Sequence, residues 1–233
     1  MSKDLCEGLR GKFIVLDGVD GAGKGEQRDR LTRWLADHGV DVFQTRDPGG
    51  TEIGDRIRHV LLDYDLARMD VRCEALLFMA SRAQLLAEEI RPRLSEGRAC
   101  VVCDRFVSAT CAYQGAAGFD PRRVIELAKF AVEDCWPHLT IVLDVAPEEG
   151  FDRTGHREAP RRKRADVHGQ IRLLHDAHAD AMESRPLSFH RRVRELFLEL
   201  PTFYPAPIAI VDGAGSKDDV QRRVMGALEH EFL

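Results

Sequence analysis

Phe13-Ile14-Val15-Leu16-Asp17-Gly18-Val19-Asp20-Gly21-Ala22-Gly23-Lys24 is the stretch on which the fold turns. It opens as a continuous apolar run closing on an acid, the pattern of a strand covered on both faces in a parallel sheet. It continues as a G-x-x-x-x-G-K loop. Residues 25–38 follow with Leu31, Trp34 and Leu35 at helical spacing, and Gly39 stops them. In a glycine-rich turn between a strand and a helix, backbone N–H groups turn inward around phosphate oxygens. The helix N-terminus adds partial positive charge, and the lysine reaches the β- and γ-phosphates. Gly18, Val19, Asp20, Gly21, Ala22, Gly23, Lys24 and Gly25 are therefore the expected ATP-binding residues. Gly25 departs from the pattern, because a Ser or Thr hydroxyl that ligates Mg²⁺ belongs there. Magnesium readily keeps its waters, so weakened metal binding is expected. Glu26 reads as a first-turn acid that interacts well with the helix dipole.

Short apolar runs recur at 42–45, 99–103, 139–143 and 208–211. Helical spacing fills 53–62, 71–96 (interrupted by Pro92), a segment opened by Pro121, 183–200 with Pro186 near its start, and 218–229. This alternation predicts an α/β fold, a P-loop NTPase-type parallel five-stranded sheet with helices on both faces. Residues 1–233 read as a single domain. Its one composition shift, an Arg- and His-rich segment at about 150–180, reads as an exposed, mobile insertion on the domain rather than a separate domain.

Composition narrows the function. A net charge of −5 over 233 residues carries no overall basic field, which argues against nucleic acid as the main partner. No apolar run approaches the ~20 residues of a membrane helix, and residues 1–10 lack a signal-peptide core, so a cytoplasmic setting is expected. Six scattered cysteines do not form a disulfide framework. Cys100 and Cys103 form a C-x-x-C pair inside a buried strand pattern, with no second pair at zinc spacing.

Three further constellations carry chemistry. Thr45-Arg46-Asp47-Pro48-Gly49-Gly50-Thr51 follows the second strand pattern, and Arg46 at a strand end suits a phosphate, or is an ordinary turn arginine. The prolyl bond suits a cis turn. Phe78 and Arg82, four apart on the long helix, share a face and together can stack on a base and bond its carbonyl. Asp104 ends the third strand pattern, where an acid holds magnesium through water, and Arg105 beside it can bridge two phosphate chains. Tyr113 and Gln114 offer an aromatic plane and an amide for reading a base.

These blocks, F-I-V-L-D-G-V-D-G-A-G-K, T-R-D-P-G-G-T, L-L-F-M-A-S-R and C-D-R-F-x-x-x-T-x-A-Y-Q-G, resemble the thymidylate kinase family. The resemblance is specific from Phe13 to about Gly115 and looser through 139–212. It implies phosphoryl transfer from ATP to dTMP with Mg²⁺, and a homodimer. By resemblance, Asp20 lies near the acceptor sugar and phosphate and Arg46 holds the acceptor phosphate. Phe78 stacks on thymine, Arg82 bonds its carbonyl, and Tyr113 and Gln114 close over the nucleotide. Arg153 and Arg157 would be the catalytic lid arginines, as in the bacterial type, alongside Asp20, Lys24, Arg46 and Arg105. Asp47 stands where the family has glutamate, and Ala109 where it has serine. With Gly25, these changes leave two alternatives: a nucleotide-binding relative with weak or no turnover, or a kinase of a modified pyrimidine deoxynucleotide. Arg161-Arg162-Lys163-Arg164 reads as a solvated loop, as extra lid arginines, or as a nucleic-acid contact. His168, His175 and His178 lack further ligands for a metal site.

Overall fold

A computed structural model describes residues 2–63, 69–154 and 185–233. Strands β1 (Phe13–Gly18), β2 (Val42–Arg46), β3 (Cys100–Asp104), β4 (Leu139–Asp144) and β5 (Ile208–Asp212) form one parallel sheet in the order β2-β3-β1-β4-β5. The expected five-stranded parallel sheet is thus present, and β1 is its centre. The β1 register pairs Phe13 with Val101 on one side and Ile14 with Leu139 on the other. Every residue of β1 is buried, whereas the edge strands β2 and β5 are partly open. That difference accounts for the unbroken apolar run of β1, since a strand between two neighbours and two helix layers has no solvent side.

The helices are α1 (Ser2–Leu9), α2 (Lys24–Asp37), α3 (Glu52–Asp63), α4 (Val71–Leu85), α5 (Arg91–Ser95), α6 (Val107–Ala116), α7 (Pro121–Val132), α8 (Pro147–Thr154), α9 (Leu187–Glu199) and α10 (Lys217–Phe232). α2 packs on α10 and α10 on α1, while α6 packs on α4, α7 and α9. The alternation of β1 serves both layers. Phe13 meets Phe106 just ahead of α6, edge to face at 5.1 Å, and Asp17 accepts from Ser108 on α6. Ile14 and Leu16, buried between them in sequence, point to the other face.

The long helical pattern at 71–96 resolves into α4, a π-helical turn over Leu86–Ile90, and α5 with Pro92 in its first turn. A proline lacks the N–H for an i−4 bond, and the wider turn ahead of it lets the helix axis continue. Three helices, α1, α6 and α8, are not among those that helical spacing predicts. α1 buries Leu5 and Leu9 and packs on the C-terminal helix. α6, rich in Ala, Ser and Thr, is buried along most of its length and so shows no amphipathic period. The helix expected from 183 begins at Leu187 with Pro186 as its N-cap. Most of the lid expected at about 150–180, including Arg157, Arg161–Arg164 and the three histidines, lies outside the described residues.

Phe13→Ala removes a fully buried ring from between the central strand and Phe106. It should cost about 3–5 kcal/mol in urea unfolding, with the denaturant slope unchanged.

Candidate active site

The site lies at the carboxyl ends of β1 and β3, where the strand order reverses direction around the centre of the sheet. The loop after β1 is held by close backbone approach. Gly21 has φ +75°, and a Cβ there would stand 2.1 Å from the Gly150 carbonyl oxygen at the start of the α8 interior. Only glycine permits both that conformation and that contact. Lys24 opens α2 and folds back over the loop, its Nζ donating to the carbonyls of Gly18 (3.1 Å) and Val19 (2.9 Å) and standing 4.0 Å from Asp20. Burial and the nearby Arg105 guanidinium push the Lys24 ammonium below its usual range, against the pull of Asp20, Asp104 and Asp17.

Arg105 joins this loop to α6. It sits in the left-handed region at φ +67°, a conformation that costs a non-glycine residue roughly 1–3 kcal/mol. From there its guanidinium donates to the Gly18 carbonyl (3.3 Å), to Asp20 and to the Tyr113 hydroxyl (3.2 Å), and it lies 3.5 Å from Asp17. The Tyr113 hydroxyl in turn donates to Asp20 at 2.8 Å. Burial works to raise the Asp20 carboxyl, but Arg105, Lys24 and the Tyr113 hydroxyl outweigh it and hold Asp20 below the usual carboxylate range. For Asp17 burial wins: its carboxyl is pushed up despite Arg105 and the hydrogen bonds from Ser108 Oγ (2.6 Å) and the Gly18 N–H (2.9 Å).

Beyond Arg105 lies a pocket whose lining includes Phe78, Arg82, Tyr113 and Gln114, together with Asp20, Arg105, Asp47, Pro48, Arg58, Glu74, Ala109 and Thr110. Arg82 is not the surface arginine that its position on a helix suggests in isolation. It is 1% exposed, with Nε donating to Asp47 (2.5 Å), Nη2 to Thr110 Oγ1 (3.0 Å) and its plane over Phe106. Burial raises the Asp47 carboxyl even with Arg82 beside it. The Asp47–Pro48 bond is cis, and the Pro48 carbonyl accepts from Arg58 at 3.0 Å. Gln114 is fully buried, and neither atom of its amide has a protein hydrogen-bond partner. Such a group normally finds a partner, so an unsatisfied amide on a pocket wall is chemically directed at whatever enters.

Not every expected residue joins this wall. Arg46 is half exposed, 3.4 Å from Asp55, and lines a neighbouring open groove with Arg28 and Gln44. Asp104 is a quarter exposed at the end of β3, 3.3 Å from Arg28. Arg153 on α8 donates to Glu149 (2.6 Å) and to the Gly213 carbonyl (3.1 Å). A Cβ on Gly213 would lie 3.6 Å from the Ala22 carbonyl oxygen, so this loop borders the phosphate loop. Glu26, as expected of a solvated first-turn acid, is turned to Arg30 and Lys217, which hold its carboxyl down at about 2. Cys100 and Cys103 are buried and free, and no metal-ligand cluster exists among the described residues.

Asp17, Glu74, Thr110 and Arg58 were missed from the sequence as site residues. Two had a signal. Asp17 is the one acid in an otherwise apolar strand, and Glu74, Phe78 and Arg82 recur at i, i+4, i+8 on one helix face. Thr110 and Arg58 had none, because their partners lie far away in sequence.

A parallel sheet in this order, with a glycine-rich loop joining its central strand to a helix that begins with lysine, defines a P-loop protein of the nucleotide-kinase class. The comparisons sharpen the class. The thymidylate kinase family model matches residues 16–224. The thymidylate kinase of Protochlamydia amoebophila is 37% identical over 226 residues, covering 96% of this chain and 95% of its own length. That of Syntrophotalea carbinolica is 39% identical over 213 residues, with 91% and 92% covered. That of Clostridium novyi is 35% identical over 221 residues, with 94% and 99% covered. The chain belongs to the thymidylate kinase family.

Gly21→Ala forces either the phosphate loop or the α8 backbone to move. Titration calorimetry should show ATP affinity reduced by at least about tenfold, some 1.4 kcal/mol.

Proposed function

We propose that this chain is a dTMP kinase, transferring the γ-phosphoryl group of ATP to the 5′-phosphate of dTMP to give dTDP. The observation that carries the reading is the unsatisfied Gln114 amide beside Phe78 and Arg82, in a pocket that Arg105 and Asp20 share with the phosphate loop. A pyrimidine lying on Phe78 would offer Gln114 its N–H and carbonyl edge and Arg82 a carbonyl. The closed pairing of Arg82 with Asp47 and Thr110 fixes that guanidinium in place before the base arrives.

The chain's own residues would divide the work as follows. The loop N–H groups and Lys24 hold the donor phosphates, and Lys24 exchanges its carbonyl partners for phosphate oxygens. Arg105 turns one face to the phosphates while Asp20 and Tyr113 hold its other bonds. Arg46 is the candidate for the acceptor phosphate and would have to leave Asp55 to reach it. No general base is needed, because the acceptor phosphate is already ionised at neutral pH. Catalysis then rests on positioning and charge neutralisation. The residues present fit Mg²⁺ held through water: Asp104 offers a partly exposed carboxylate, and a Cβ at Gly25 meets no heavy atom within 4 Å, which leaves room for a metal's own waters. When bound, the ion would supply neutralisation of the β- and γ-phosphate charge. Arg153 and Arg157 are the candidate lid arginines, on the reading of residues 1–233 as a single domain with an arginine-rich lid at about 150–180.

The reading without turnover, raised by Gly25 and Ala109, gains no support. Both positions are sterically open or pocket-lining, and full-length relatives at 35–39% identity are kinases by name. A cytoplasmic setting fits the six free thiols, and no described helix is long and apolar enough to cross a membrane. We further propose a homodimer through the face of α3, α4 and α7, where Val60, Leu76 and Phe130 are exposed, Phe130 by 89%.

ADP formation with ATP, Mg²⁺ and a panel of dTMP, dUMP, dCMP and UMP tests the activity. A clear preference for dTMP is expected, abolished in Lys24→Met; a flat panel, or retained activity in that variant, refutes the assignment. Light scattering should give about twice the 26.2 kDa chain mass, falling towards the chain mass in Phe130→Asp with Leu76→Asp.

A further inference from the structure

The phosphate-loop helix carries a cation that the family pattern in this sequence does not explain. Arg28 stands one turn beyond Lys24 on the same face of α2. Its Nη1 lies 3.3 Å from Asp104 Oδ2, at the carboxyl end of β3. The rest of the guanidinium is fixed from behind. Nε and Nη2 donate to Asp29 Oδ1 at 3.1 and 3.0 Å, and that same oxygen accepts from Gln44 Nε2 at 2.8 Å. Arg28 is therefore not a waving surface side chain: Asp29, itself fixed by Gln44, holds one edge of the guanidinium, and Nη1 donates to the Asp104 carboxylate. The other first-turn charge, Glu26, is turned away to Arg30 and Lys217. Gly25 has no side-chain oxygen to offer. Asp104 is the partly exposed carboxylate at the end of β3, and it already has a cation on it.

We propose that Arg28 is a positioning residue that sets the metal affinity of this site through Asp104; the proposal rests on the reading of Asp104 as the metal-side carboxylate. A fixed unit charge next to the ligand of a divalent ion opposes that ion and favours the polyanionic nucleotide. Arg28 and Gly25 act in the same direction, one by competing for the carboxylate and the other by removing a hydroxyl. The site thereby trades metal affinity for affinity towards metal-free nucleoside triphosphate.

The test uses Mn²⁺ in place of Mg²⁺ on the full chain with a non-hydrolysable ATP analogue. Free Mn²⁺ is followed by electron paramagnetic resonance, and metal-free analogue binding is measured by calorimetry in EDTA. Arg28→Ala should tighten Mn²⁺ binding by roughly three- to tenfold and weaken metal-free analogue binding by a similar factor. Arg28→Lys, which keeps the charge, should restore both towards the parent values, a rescue that a merely structural role would not produce. In an Asp104→Asn background the Arg28→Ala effect on Mn²⁺ should vanish. If Asp104→Asn weakens Mn²⁺ binding but Arg28→Ala leaves it unchanged, the role of Arg28 is overturned and the metal reading stands. If Asp104→Asn leaves Mn²⁺ binding unchanged, both are overturned.

Discussion

The Arg105 guanidinium is the interaction on which the site depends. It is the point at which the phosphate loop, the end of β3 and α6 are joined, through Gly18, Asp20, Asp17 and Tyr113. Reaching all four requires the left-handed backbone at Arg105, and the fold sustains that strain with buried, charge-assisted hydrogen bonds. Removing one partner from such a buried cluster typically costs about 3–5 kcal/mol, because the remaining charges lose their compensation. The cluster therefore sets the relation between the glycine-rich loop and the pocket lined by Phe78, Arg82 and Gln114 as part of folding, before any ligand is bound. The pocket wall repeats the device on a smaller scale. Arg82 and Asp47 are both buried, and Thr110 and Phe106 take up the rest of the guanidinium.

How much of this could be read from the sequence follows from where each contact lies along the chain. The apolar run at Phe13, the glycine-rich loop and Lys24 are local, so spacing alone placed the central strand, the loop and α2. The fold class followed from the alternation of runs. Phe78 and Arg82 fall on one pocket wall as their spacing suggests, because helical periodicity is local too. The union of Arg82 with Asp47 and Thr110 spans 35 and 28 positions, and no spacing rule reaches across them. The same holds for Asp17 and Ser108, 91 apart. α6 was not seen as a helix because a helix buried on nearly all sides has no polar face, and period-based reading depends on one. Arg46 shows the opposite limit. Its strand-end position was read correctly, but which acid it would pair with, and which groove it would line, depends on how α3 is laid beside it.

The divergent start of α2 takes on a different character once it is folded. Taken as a string, Gly25 in place of a hydroxyl residue, followed by Glu26, looks damaging, since it removes a metal ligand and adds a negative charge beside phosphates. In the fold, the added charge is neutralised away from the loop. Glu26 is bound by Arg30 on its own helix and by Lys217 at the start of α10, and Gln27 donates to the Lys217 carbonyl. α10 is itself fixed at that end by a capping box between Ser216 and Asp219. The C-terminal helix thus anchors the phosphate-loop helix through the residue that would otherwise disturb the site. A substitution that reads as a loss in one dimension becomes a tether in three, and the loop geometry needed for phosphate binding survives it because loop backbone and Lys24, rather than residues 25 and 26, carry that geometry.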